Sequence, residues 1–161
     1  MDQKTRLDVH RIGGVYVGIF REPFERVLLL QGFVLRPAGE QAWLWEYKNT
    51  DSGERGRLLD VAAYLGEAHV ALSSKGVAYT TTRQGHPVAL LFPGAPRRMR
   101  LNRDKYKVLH GEDQPAVPDE WASDLILRVI QHRFRKIVIL DEKHLLSTVG
   151  LRTGSSTAGA L

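Results

Sequence analysis

Six cations stand within eleven residues, at Arg97, Arg98, Arg100, Arg103, Lys105 and Lys107, interleaved with Met99, Leu101 and Tyr106. That density suits the recognition of anions. Counterion release from nucleic acid scales with the number of phosphates a protein neutralises, and an aromatic such as Tyr106 among the cations can stack on an unpaired base. Arg133, Arg135 and Lys136 would extend the same surface, although cations at the end of a helix also answer its dipole. Charge alternates in blocks along this part of the chain: net +5 over residues 96–109, net −5 over 110–124 and net +4 from 125 onward. The basic block therefore has a second use, which is to meet an acidic surface on a protein.

Other candidate chemistry is thinner. Glu46 and Lys48 share one face of an expected strand and give the (Asp/Glu)-x-Lys half of the PD-(D/E)xK nucleases, where the acid holds Mg²⁺ and the lysine helps activate water. That chemistry needs another acid nearby. Glu22, Glu25 and Glu40 lie upstream, none in a Pro-Asp pair, and Pro118-Asp119 lies far downstream. Asp2-Gln3-Lys4 and Asp141-Glu142-Lys143 repeat the tripeptide without a common context, so a surface ion pair is the plainer reading of Glu46. Residues 137–142 have the form of a Walker B strand, but no GxxxxGK[ST] loop cradles phosphates anywhere in the chain. The histidines His10, His69, His86, His110, His132 and His144 form no HxH, HExxH or paired H-x-[ST] pattern. A ribonuclease site assembled only in space is invisible to such spacing. There is no GxSxG elbow, Ser155-Ser156 lies in the tail, and the absence of cysteine removes thiolate metal sites and cysteine nucleophiles. No cofactor or metal is called for.

These side chains need a scaffold. The 161 residues carry 23 Lys+Arg against 18 Asp+Glu and are 43% hydrophobic, which is enough for one globular domain with a core of its own. The expected organisation is a single α+β domain over 1–152, with an exposed basic segment at 97–110 and a flexible tail at 153–161. The first residues are polar and no apolar run spans a bilayer, so a soluble cytoplasmic protein without a membrane partner is expected.

Periodicity predicts strands over 14–20, 27–35 and 42–48, the last with Trp43, Trp45 and Tyr47 on one face. Leu58, Val61, Ala62 and Leu65 predict a short helix over 57–65, and turn residues separate further strands at 68–73, 77–82 and 87–92 in an antiparallel meander. Trp121, Leu125, Ile126, Val129, Ile130 and Phe134 recur at helical spacing after Pro118, which predicts a long helix over 119–135. Residues 137–140 read as a strand, followed by a short helix through 149. The fold class expected is therefore α+β: an antiparallel sheet of about five to seven strands packed against one long helix and one or two short ones, with the aromatic stripe beneath the long helix.

The functional expectation is a non-enzymatic nucleic-acid-binding module, for DNA or RNA, using the basic segment for phosphate contacts. The alternative is an accessory or adaptor subunit of a larger protein assembly, docking through its basic arm or aromatic strand. A metal-dependent nuclease is the third reading.

Overall fold

The computed structural model describes residues 5–73, 75–102, 105–119 and 121–149. The chain divides into two units, Met1–Pro23 with Ala95–Glu142 and Phe24–Gly94 with Lys143–Leu161. The expected tail at 153–161, Arg103 and Glu120 lie outside the described residues.

The first unit is a six-stranded sheet. Its strands, numbered in chain order, are β1 (Arg6–Ile12), β2 (Val15–Phe20), β9 (Arg97–Arg100), β10 (Tyr106–Leu109), β11 (Ile126–His132) and β12 (Arg135–Leu140), in the spatial order β10-β11-β12-β2-β1-β9. Gly13 and Gly14, at φ +58° and +79°, make the two-residue turn between β1 and β2, where two left-handed residues match the twist of a hairpin. β12 runs parallel to β2, and all other pairings in this sheet are antiparallel. One face gathers Leu7, Val9, Phe20, Ile130, Ile137 and Ile139 into a buried cluster. Met99 and Leu101, beside one edge of the sheet, and Tyr106, on the opposite edge strand, pack against that same cluster, so the sheet curls round its own core.

The second unit is also six-stranded: β3 (Arg26–Leu29), β4 (Phe33–Pro37), β5 (Leu44–Asn49), β6 (Arg55–Asp60), β7 (Gly76–Arg83) and β8 (His86–Pro93), in the order β3-β7-β8-β6-β5-β4. β8 is an apolar run in which every residue from Val88 to Phe92 is buried, and Tyr79 meets Phe92 edge to face at 5.3 Å. β6 lies parallel to β8, and Gly56 is what lets them meet: a Cβ there would sit 2.3 Å from the Pro87 carbonyl oxygen. One turn of helix, α1 (Val61–Tyr64), follows β6 and is capped by Asp60, whose Oδ1 accepts from the Ala63 N–H at 3.3 Å. A second helix, α2, covers 142–149, and its His144 Nε2 lies 3.3 Å from the Tyr64 hydroxyl.

The fold is thus mostly β, with two six-stranded sheets and only short helices, and the α+β expectation is corrected. The long helix over 119–135 does not form. Ser123–Leu125 is a single 3-10 turn and 126–132 is strand β11. Part of its helical spacing has a local cause: the register slips between Ile126 and Arg128, so Ile126 and Val129 fall three apart, while Trp121 and Leu125 precede the strand and Phe134 follows it. Phe134, the last residue of the pattern, sits in the β11–β12 turn and is fully exposed. Leu58 and Leu59 of the expected helix over 57–65 are instead buried in β6, and helix begins only at Val61. The strand expected over 27–35 is interrupted by a 3-10 turn at Leu30–Gly32, and 68–73 is not a strand. β1 is an element the sequence reading missed, because Asp8 and His10 made it look polar although both are buried. Strands over 14–20, 42–48, 77–82, 87–92 and 137–140, and the helix through 149, lie where expected.

Candidate functional site

The basic block is not a projecting arm. Arg97, Arg98 and Arg100 belong to β9, which pairs with β1 through Leu7↔Met99 and Val9↔Arg97. Met99 is held because its side chain joins the buried cluster, and this leaves the arginines on either side of it exposed. Tyr106 and Lys107 lie on β10, at the opposite edge of the sheet, so one contiguous run in sequence becomes two separate edges. Tyr106 is half-buried against the cluster, which commits its ring to packing.

A groove of about 990 Å³ runs along β9. Six consecutive residues, Arg97 to Asn102, line it together with Lys105, and the opposite wall is the tip of the β11–β12 hairpin from His132 to Arg135. Val9 and Ile137 complete the lining. Arg133 takes φ +58° in the two-residue turn that carries Phe134 outward. Arg135 is held over the Tyr16 ring at 5.0 Å, with Arg11 over the same ring at 5.5 Å, a cation–π arrangement that fixes the guanidinium at the groove wall. Among the described residues, Arg97, Arg98, Arg100, Lys105 and Arg133 have no carboxylate within ion-pair distance. Two acids of the first unit serve other cations: Glu22 meets Arg6 at 2.9 Å, and Asp8 meets Arg21 at 3.5 Å.

The structure therefore brings together Arg97, Arg98, Arg100, Lys105, Arg133 and Arg135 of the residues singled out from the sequence. Lys107 is on the far edge strand, and Lys136, exposed on β12, does not line the groove. What sequence reasoning missed is the apolar side of the site. Met99, Leu101 and Phe134 give the groove carbon surface between its charges. The hairpin tip His132-Arg133-Phe134-Arg135 contains no Gly, Asn or Asp, so nothing in its composition announced a turn.

The remaining candidates have structural work. Glu46 accepts from Arg36 Nε at 2.7 Å and faces Arg57 across β5 and β6, as a surface ion pair would. No group of three or more acid or histidine side chains converges as a metal site among the described residues. The aromatic stripe lacks the helix expected to cover it. Trp43 instead meets Tyr64 edge to face at 5.0 Å, and Tyr47 is buried against Phe33 at 5.0 Å. Tyr47 donates to Glu54 at 3.2 Å, and burial, reinforced by the Glu54 charge, pushes its phenol well above the usual range. The Walker B-like run is β12, a buried strand that leads into α2.

No helix among the described residues is long and apolar enough to cross a membrane. No family model matches the chain, and no curated protein does. Among solved structures, the chain is similar to the scaffolding protein TtCheW from Thermoanaerobacter tengcongensis, with a TM-score of 0.64 and 9% sequence identity, over 86% of this chain and 90% of that one. The expectation of a nucleic-acid-binding module is overturned by this likeness, which is to the fold of a scaffolding protein.

Proposed function

We propose that this chain is a CheW-like scaffolding protein, an adaptor that holds protein partners together in a chemotaxis-type signalling assembly in the cytoplasm. The observation that carries the reading is the shared fold, which extends over 86% of this chain and 90% of the scaffolding protein. Among the described residues, a sheet edge paired on one side only and a groove whose arginines and lysine, Arg135 apart, meet no carboxylate support it, because both are surfaces for docking. The partner classes are a chemoreceptor and a CheA-type histidine kinase.

The test is reconstitution from purified parts: this chain, the cytoplasmic signalling fragment of a chemoreceptor and the kinase from the same organism. A complex containing all three is expected by size exclusion, with receptor control of autophosphorylation appearing only when the chain is added. Failure of the chain to bind either protein, in conditions where both are folded, would overturn the reading.

A further inference from the structure

We infer that the groove of the first unit takes an extended acidic segment of a protein partner, added as a new strand to the free edge of β9. The inference rests on the adaptor reading for the source of that segment, and on the geometry of β9 for its chemistry.

The edge is open. Among the described residues β9 pairs with β1 alone, and six consecutive residues, Arg97 to Asn102, line the groove, so the backbone edge of the strand borders it, while Val9 and Ile137 add the core face of the sheet. The direction of each backbone group follows from one bond. The Leu101 N–H donates to the Thr5 carbonyl at 2.7 Å, so Leu101, Met99 and Arg97 turn their backbone groups toward β1. Backbone groups alternate along a strand, which leaves the N–H and C=O of Arg98 and Arg100 pointing into the groove. A peptide laid there in extended form finds two donors and two acceptors.

Side chains set what the peptide must be. Along β9, Arg98 and Arg100 form one row, while Arg97, Met99 and Leu101 form the other. A strand paired with β9 therefore sets alternate residues beside cations and the intervening ones beside Met99 and Leu101, with the exposed Phe134 across the groove. The fitting segment alternates acidic and apolar residues. Charge complementarity is strong because the groove's cations, Arg135 apart, have no partner among the described residues.

The test uses the full chain and fluorescence anisotropy with two labelled ten-residue peptides, one alternating Glu with Val and the other Lys with Val. The Glu peptide is expected to bind at least tenfold more tightly, and its affinity to fall as salt rises from about 50 to about 300 mM. Arg98→Ser should weaken binding a few fold through lost charge. Arg98→Pro should weaken it at least tenfold further, because proline removes an outward N–H while the ladder to β1, which that N–H does not join, is kept. Should the proline variant fail to fold by circular dichroism, hydrogen exchange on the wild type decides: the Arg98 and Arg100 amides should slow on adding the Glu peptide.

Equal binding of the two peptides, equal affinity of the Ser and Pro variants, or unchanged exchange at those amides would overturn the inference. So would displacement of the peptide by a short oligonucleotide of equal charge at lower concentration, or a dimer in sedimentation that protects the same amides. Peptide binding by a chain that fails to assemble with receptor and kinase leaves the groove's chemistry standing and counts against the adaptor reading alone. Assembly by a chain blind to the peptide does the reverse.

Discussion

Asp60 is fully buried and holds two backbone donors at once, the Ala63 N–H at 3.3 Å and the Ala71 N–H at 2.8 Å. Asp60→Ala would remove the cap of α1 and orphan both, so urea denaturation should show a loss of about 2–4 kcal/mol. Burial holds this carboxyl above its ordinary value despite those bonds, so it binds protons more readily in the folded state and its contribution weakens as pH rises through the raised value. Glu22 works in the opposite sense. Burial alone would raise it, but hydrogen bonds from the side chain and backbone of Arg6 outweigh that and hold it below 4.5. Its stabilisation is present above that ordinary value and lost as pH falls through the lowered one. The melting temperature of Glu22→Gln should therefore lie below that of the wild type near pH 7, with the gap closing as pH falls below 4.5 and through the lowered value. At this scale the sequence shows where cations stand along the chain, since charge is visible in residue type, but not that Arg97, Arg98 and Arg100 fall on one edge of the sheet and Lys107 on the other. Phe134 and Met99 were not legible as site residues, because an apolar side chain reads as core until its exposure is known.

Elements succeed or fail on backbone fit. Gly56→Ala would drive a methyl into the Pro87 carbonyl, 2.3 Å from where its carbon must sit, and β6 and β8 would have to part. A loss of about 3 kcal/mol or more is expected in chemical denaturation, whereas Gly32→Ala, with nothing within 4 Å, should change stability by less than about 1 kcal/mol. Strands bounded by turn residues and built from consecutive apolar groups, such as β7 and β8, could be read directly from the chain. β1 could not, since a strand with buried Asp8 and His10 defeats a rule that places polar residues outside. β11 shows the opposite failure. A register slip after Ile126, with apolar residues in the turns on either side of the strand, gave spacings of three and four, and periodicity then named the wrong element.

At the scale of the whole molecule, composition gave a net charge of +5 and no indication of what that charge meets. A polyanion and an acidic protein surface ask for the same residues. Under the proposed adaptor reading, the placement of Arg97, Arg98 and Arg100 along one sheet edge favours the acidic protein. If those cations steer partners, the association rate of the reconstituted complex should fall steeply with ionic strength while dissociation changes less, which stopped-flow mixing at several salt concentrations would read out. The same bare edge faces a hazard that any unpaired strand faces, which is sticking to its own kind. Two copies meeting along β9 would bring arginine against arginine, so the row that attracts an acidic strand repels its duplicate and keeps concentrated protein clear. Stocks should cloud only where salt screens that repulsion, and a chain stripped of the three arginines should cloud without it.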